Sequence, residues 1–539
     1  MKLLVLGNEA IAQGAIDAGI SGVYAYPGTP STEITQYIQK SKIAKERAIH
    51  TDWSANEKTA TEAALGMSYA GKRALVCMKH VGLNVASDAF MNMAISGVNG
   101  GLVLIIADDP SMHSSQNEQD SRFYGKFALV PILEPCNQQE AYDLTRFAFD
   151  LSEKYDLPVI LRMVTRLSHS RSIIETQESR GENNLTIPKY ANNFKLIPAY
   201  AKDQYIRLVA KQNDLLADSE TSPYNQFIDA KDYSIGIITT GIAYNYVMEN
   251  FEDKPCPYPI LKLSQYPVPK QKIKKLYQSC DTILVLEECY PIIEERLKDY
   301  FDIDTKVKGR LSGDVPRTGE LNPNIVGKAL GLTDDTTYKI PNVVTGRPPE
   351  LCVGCAHRDL FDSINTLIPE IGEKHVFGDI GCYALGSLPP FNTINTLIDM
   401  GASIPMAKGA SDAGLFPTIA VIGDSTFTHS GMTGLLDAVN ENSPITVIIS
   451  DNSAVAMTGA QDSAALGRLV AICKGIGVPE EHLVVINPLH KNHDINVDII
   501  RKELFYKGIS VIIAQRACVQ IPKLQKDKIK ETILARTQN

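Results

Sequence analysis

The sequence predicts an α/β protein assembled from several doubly wound parallel-sheet domains, and three observations carry that prediction. Short apolar runs rich in branched residues, four to six long, recur along the chain. Helix-forming stretches alternate with them, the pattern of βαβ units. At 539 residues the chain has room for about three domains with cores of their own. The clearest unit spans Pro417–Gln461. Thr418–Ile422 reads as a buried strand ending in Gly423-Asp424-Ser425, and a helix follows from Thr433 to about Val439. Asn442-Ser443-Pro444 makes a turn, and a second strand, Ile445–Ile449, ends in Asp451-Asn452. An acid thus stands at the carboxyl end of one strand and an amide at the end of the next, where open α/β sheets bind ligands.

In chain order, a strand is expected at Leu3–Leu6, a helix through Ala10–Ala18 and a strand at Gly22–Tyr26, followed by the loop Tyr26-Pro27-Gly28-Thr29-Pro30-Ser31. Ser31 is placed to cap the next helix by accepting from its first free amides. In Asp52–Gly66, small residues three and four apart predict a tightly packed helix with Glu57 in its first turn. Strands recur at Ala74–Met78, Val103–Ile106 and Val159–Val164, which makes the first 175 residues or so one parallel sheet. From about 176 to 230 the sequence turns polar and reads as a linker or covering loops. Strands resume at Ser234–Thr239 and Thr282–Glu287, with helices around Ala243–Phe251 and Ile292–Tyr300. Pro-rich Ile340–Pro349 reads as a second linker, and further strands are expected at Lys374–Phe377 and Ile509–Ala514. The boundaries that follow are 1–180, 181–340 and 341–539.

Composition narrows the function classes. A net charge of −9 with 44% hydrophobic and 21% charged residues describes an ordinary acidic globular protein. No basic stripe points to nucleic acid, and no apolar run approaches the roughly 20 residues needed to cross a bilayer. The amino terminus lacks the apolar core and cleavage site of a signal peptide, so a cytoplasmic location is expected. In that compartment the ten cysteines are expected as thiols or metal ligands rather than disulfides.

Two constellations carry chemistry. Asp424 and Asn452 can supply a carboxylate and an amide oxygen to Mg²⁺, with the Ala454 carbonyl as a third protein ligand and phosphate oxygens and water completing about six positions. The thiols are Cys352 and Cys355 in Leu351-Cys352-Val353-Gly354-Cys355-Ala356-His357-Arg358, Cys382 in Gly378-Asp379-Ile380-Gly381-Cys382-Tyr383, and Cys518 near the end. Cys382 and Cys518 follow predicted strands on the sheet edge that carries Asp424. Four such thiolates suit a [4Fe–4S] cluster; a structural Cys₄ zinc site uses the same ligands. The other six cysteines show no comparable arrangement and read as packing residues or free thiols.

The spacing Gly423-Asp424 to Asn452 resembles the diphosphate-binding motif of thiamine-diphosphate enzymes. Its continuation through Gln461 resembles the 2-oxoacid:ferredoxin oxidoreductases, specifically the alpha subunits acting on indolepyruvate and similar aryl 2-oxoacids. That resemblance covers essentially the whole chain and implies domains of the transketolase-like type: pyrimidine-binding (1–180), transketolase carboxy-terminal-like (181–340) and diphosphate-binding (341–539). It implies thiamine diphosphate, Mg²⁺ and one [4Fe–4S] cluster held by Cys352, Cys355, Cys382 and Cys518. Cofactor contacts are implied for Thr29, Glu57, His357, Gly381, Cys382, Tyr383, Gly423, Asp424, Ser425, Asn452, Ala454 and Thr458. Glu57 would hydrogen-bond N1′ of the cofactor's aminopyrimidine and so activate thiazolium C2; Glu62 is the alternative. The helix dipole alone also explains an acid at the position of Glu57. Thr29, Lys79, His80 and Arg122 are candidates to meet a substrate carboxylate.

The implied reaction is oxidative decarboxylation of an aryl 2-oxoacid to acyl-CoA and CO₂. Electrons pass singly through the cluster to ferredoxin, within an alpha dimer of an alpha2beta2 assembly completed by a beta subunit. Met457 stands where pyruvate-specific relatives carry a polar residue, which favours a larger apolar substrate or reflects core packing. Many relatives end in a ferredoxin-like domain; here 21 residues without cysteine follow Cys518, so electrons are expected to leave from the single cluster directly or through a partner. Two other readings share part of the pattern. A non-oxidative thiamine decarboxylase needs Glu57, Asp424 and Asn452 but no thiol quartet, and a zinc-stabilised assembly subunit without catalysis needs only the fold.

Overall fold

A computed structural model describes residues 1–189, 191–251, 254–298, 305–332, 341–346 and 348–537. The chain divides into two compact units, Met1–Ile340 and Pro341–Asn539.

The first unit holds two larger sheets. One has six strands in the order Gln265–Tyr266, Ile132–Leu133, Val159–Val164, Leu102–Asp108, Ala74–Lys79, Gly22–Ala25, parallel except for the antiparallel Gln265–Tyr266 edge. Its central strands are largely apolar because both faces are covered, with Arg162 and Asp108 as buried exceptions. Leu75, Cys77, Val103 and Ile105 enter one core cluster, while Ala74, Val76, Leu102 and Leu104 enter the other. The second sheet has five strands, with Ile235–Thr240 at its centre between Ile260–Leu263 and Thr282–Leu286.

Three expectations for this unit are corrected. The amino-terminal strand, Lys2–Leu6, does not join the parallel sheet; it pairs antiparallel with Arg171–Glu175 in a separate two-stranded ribbon. The polar stretch from 176 to 230 contains two helices, Pro198–Ala210 and Gln212–Thr221. Each buries a narrow stripe, Gln204 with Leu208 and Leu215 with Ser219, four residues apart on one face. Half of that stripe is polar, which hides the helical period. Ser31 precedes the Thr32–Lys40 helix but makes no cap bond; its hydroxyl donates backward to the Gly28 carbonyl at 2.8 Å. The helix expected at Ile292–Tyr300 spans Ile292–Lys298, and its last two expected residues lie outside the described set, as do Ile340 and Arg347 of the second predicted linker.

The second unit is built on one six-stranded, wholly parallel sheet in the order Thr396–Leu397, Val376–Gly378, Thr418–Gly423, Ile445–Asp451, Ser510–Gln515, Leu483–Ile486. Alternation divides its central strands between two cores. Ile419, Val421, Ile448 and Ile512 face one cluster; Ala420, Ile422, Val447, Ile449, Val511 and Ile513 face the other. Burying both faces explains why these runs read as uninterrupted hydrophobic sequence. No helix among the described residues is long and apolar enough to cross a membrane.

Candidate active site

In the second unit the parallel register pairs Gly423 with Ser450 and Asp451 with Gln515. The residues that follow these strands therefore leave the same carboxyl edge. Asp424 starts there and is 2% exposed. Its Oδ2 is buried and has no hydrogen-bond partner among the described residues, while Ser463 bonds the same carboxyl group. Burial, and then the Asp451 carboxylate, push the Asp424 carboxyl well above its usual range. A buried carboxylate oxygen without a partner costs free energy that a cation would offset. The donor set present therefore fits a hard divalent ion.

Asn452 Oδ1 accepts from the Ala454 amide at 3.1 Å, and the Asn452 carbonyl accepts from the Cys518 amide at 2.9 Å. Ala454–Val455 pairs antiparallel with Gln461–Asp462. Within that hairpin the Thr458 hydroxyl donates to Gln461 Oε1 at 2.6 Å and the Gln461 amide returns a bond to the Thr458 carbonyl at 2.8 Å. Met457, at the tip, is 55% exposed, which removes core packing as its explanation. Ser425 is buried behind Asp424.

Glycine is required twice by one ring. A Cβ on Gly381 or on Gly423 would lie 2.5 Å from Tyr383 Cε1, so the tyrosine occupies the space both side chains would need. Tyr383 donates to the Ile380 carbonyl at 3.1 Å and stacks on His357, the ring centroids 5.9 Å apart. His357 is 2% exposed, and burial lowers its imidazole to about 4, which keeps it neutral near pH 7. Its Nδ1 lies 3.5 Å from Cys355 Sγ, and its Nε2 is buried without a partner among the described residues.

The turn carrying Cys352 and Cys355 lies against the segment around Cys518, where Gln520 Nε2 is 3.3 Å from Cys352 Sγ. Burial, then the charges of Cys518, Cys355, Cys352 and Asp424, push the Cys382 thiol up to about 12. Burial raises Cys355 as well, with Cys518 and Cys352 adding to it. Cys352 is exposed and the other three are half-buried. Among the described residues no three His, Cys, Asp or Glu side chains converge on a single-ion position. Of the six remaining cysteines, five are buried and Cys256 is half-buried.

Sequence reasoning missed the residues that hold these loops. Asp379, fully buried, accepts from the backbone amides of Gly401, Ser403 and Ile380 and fixes the loop before Cys382. Arg516 donates to Asp359 at 2.7 Å and to the Gly354 carbonyl at 3.0 Å, tying the Cys352–Cys355 turn to the segment before Cys518. Asp379 had a signal, since Gly378-Asp379 repeats the Gly-Asp of position 424. Arg516 had none, since Asp359 and Gly354 lie more than 150 positions away.

In the first unit, Glu57 is the first residue of the Glu57–Tyr69 helix, capped by Asn56, and is 6% exposed. Gly82 leaves room for it: a Cβ there would fall 2.7 Å from Glu57 Oε1. Glu62 faces solvent and pairs with Lys58. Lys79 donates to the Ser114 carbonyl at 2.9 Å, and the Ser114 hydroxyl reaches the Thr29 carbonyl at 3.3 Å. Burial lowers the Lys79 ammonium, and the charges of Asp109 and Glu57 partly restore it.

His80 and Arg122 do not present themselves to a substrate. His80 is 1% exposed with Nε2 3.1 Å from the Asn117 carbonyl. Arg122 lies inside an ion network, 2.6 Å from Asp120 and 2.9 Å from Glu287, with further bonds to the carbonyls of Glu288 and Tyr290. Arg162 pairs with Asp108 and Glu134, and Arg310 with Glu288, in the same buried cluster. The guanidinium is spent on joining the two sheets of this unit.

Comparison with known proteins identifies the chain's relatives. The model described as "Pyruvate flavodoxin/ferredoxin oxidoreductase, thiamine diP-bdg" matches residues 13–215, and "Thiamine pyrophosphate enzyme, C-terminal TPP binding domain" matches residues 379–479. The chain is 38% identical to indolepyruvate oxidoreductase subunit IorA of Archaeoglobus fulgidus, covering 96% of this chain and 86% of that one. It is 37% identical to the subunit of the same name from Methanothermobacter marburgensis, covering 96% and 87%. Among solved structures, a 2-oxoglutarate:ferredoxin oxidoreductase from Magnetococcus marinus superposes with a TM-score of 0.49 at 17% identity, covering 61% of this chain and 65% of the other.

Proposed function

The chain belongs to the family of indolepyruvate oxidoreductase IorA subunits, and from that premise we propose how its residues serve oxidative decarboxylation of aryl 2-oxoacids to acyl-CoA, with electrons passed to ferredoxin. Thiamine diphosphate, when bound, supplies the nucleophilic carbon and the electron sink for loss of CO₂. Asp424, Asn452 and the Ala454 carbonyl hold Mg²⁺ against the diphosphate, with Gly423, Ser425, Thr458, Gly381, Tyr383 and His357 lining the cradle. His357, whose buried Nε2 has no partner among the described residues, meets a phosphate oxygen in this reading. Glu57, buried at a helix start with Gly82 pressed against its carboxyl group, holds a proton at N1′ of the aminopyrimidine. Lys79, which feels the charge of Glu57, and Thr29, joined to it through Ser114, serve the substrate end.

Cys352, Cys355, Cys382 and Cys518 hold one [4Fe–4S] cluster. The observation that carries this reading is that the Cys352–Cys355 turn meets the segment around Cys518, with Arg516 bonded to the Gly354 carbonyl at 3.0 Å and Gln520 Nε2 3.3 Å from Cys352 Sγ. A single zinc ion would use the same four thiols, each sulfur about 2.3 Å from it, and the metal assay below separates the two readings. The active assembly is an alpha dimer within alpha2beta2, and the cell compartment is the cytoplasm.

Anaerobic purification followed by a visible spectrum and an iron assay tests this. A brown protein bleached by dithionite is expected, and a colourless zinc protein would refute the electron path. Glu57→Gln is expected to abolish turnover while iron content is unchanged; full activity in that variant would overturn the assignment.

A further inference from the structure

The segment after the Ser510–Gln515 strand is pinned at several points. The Arg516 amide donates to the Asp451 carbonyl at 2.9 Å, the Cys518 amide to the Asn452 carbonyl at 2.9 Å, and the Ile521 amide back to the Cys518 carbonyl at 3.3 Å. Ile521 is 2% exposed and packs with Ala454, Leu466 and Ile529, with Cys518 against the same cluster. Between these anchors stands Gln520. Its Nε2 lies 3.3 Å from Cys352 Sγ, 168 positions earlier in the chain. A thiolate only accepts, so the amide must present its N–H side to the sulfur. Cys352 is the exposed one of the four thiols, and its sulfur is therefore the one water would otherwise contact.

We propose that Gln520 is a positioning residue for electron transfer: its N–H···S bond to Cys352 raises the electron affinity of the iron–sulfur cluster. The inference rests on the cluster assigned under the proposed function. One electron entering a cluster increases negative charge on its thiolates. A donor fixed at one sulfur therefore stabilises the reduced form more than the oxidised form, one of the levers that set cluster potentials. Only the part of that hydrogen bond's strength that differs between oxidation states is felt. That part shifts the reduction equilibrium roughly tenfold, about 59 mV for one electron.

The test uses the full chain, purified anaerobically, as wild type, Gln520→Leu and Gln520→Glu. Iron and sulfide content is measured first, then the cluster is titrated with dithionite while its reduced signal is followed by electron paramagnetic resonance. Gln520→Leu is expected to keep its iron and to be about tenfold harder to reduce at a given potential. Gln520→Glu, which replaces the donor with a negative acceptor, is expected to be harder still, with thiamine diphosphate affinity unchanged in both. Iron-loaded variants with the wild-type midpoint would overturn the role of Gln520 while leaving the cluster assignment standing. Loss of iron from both variants would also overturn it, since Gln520 would then retain the cluster rather than tune it. A wild-type protein without iron would instead refute the cluster reading itself.

Discussion

Asp424→Asn separates the cost of the empty site from the benefit of the filled one. Without ligand, wild type carries a buried carboxyl oxygen with no partner, beside a second acid, Asp451. Held well above its usual range, that carboxyl must take up a proton on folding near pH 7, which costs about 1.4 kcal/mol for each pH unit above its unfolded value. The amide needs no proton, and a hydrogen bond it leaves unmade offsets part of the gain, roughly 1–3 kcal/mol. The expected net effect is a gain of roughly 2 kcal/mol in the ligand-free protein. For a unit of this size that raises its unfolding midpoint by about 4–8 °C. With Mg²⁺ and thiamine diphosphate at a hundred times their dissociation constant, wild type gains about 2.7 kcal/mol. The variant, lacking its anionic ligand, gains little. Differential scanning calorimetry, following the transition that responds to Mg²⁺ and cofactor, should therefore show the order of the two proteins reversing on addition of ligand. A variant less stable than wild type without ligand would refute the buried-carboxyl reasoning. One that still shifts fully with Mg²⁺ and cofactor would refute the metal assignment.

Two predictions concern the first unit. Arg122→Met leaves Asp120 and Glu287 buried without their guanidinium and is expected to cost about 3–5 kcal/mol in urea unfolding, with the KM of the folded fraction unchanged; a raised KM for the 2-oxoacid at unchanged stability would return Arg122 to the substrate. Glu288 is fully buried, and burial pushes its carboxyl up to about 7. Its folded value lies above its unfolded one, so its contribution to stability is full below about pH 4.5 and is lost as pH rises to about 7, at about 1.4 kcal/mol per unit. Glu288→Gln should flatten the fall in melting temperature between pH 5 and 7; parallel profiles for the two proteins would exclude Glu288 as the source.

What was legible in the sequence was local or periodic. The strands flanking Asp424 and Asn452 are short and branched and stop at Gly, Asp and Asn, so the βαβ unit and its ligand edge were readable. The Cys-x-x-Cys turn, and the cysteines standing just after strand-like runs, were readable for the same reason. What escaped depends on residues far apart in the chain. The pairing of Lys2–Leu6 with Arg171–Glu175 is set by the second strand, and nothing near the amino terminus encodes it. The helices between 198 and 221 bury stripes too narrow and too polar to register as a period.

By itself the sequence determined the kind of domain, the acid and amide at adjacent strand ends, the thiols and the glutamate at a helix start, because each depends on residues within one or two elements. Only the tertiary structure decided which cations are available. Arg122 and Lys79 both looked like substrate ligands, yet Arg122 is consumed by Asp120 and Glu287 while Lys79 remains beside Glu57. It also decided which glycines a ring requires and that Gln520 meets Cys352. Burial and long-range charge pairing are properties of the packed molecule, and no window of sequence contains both partners.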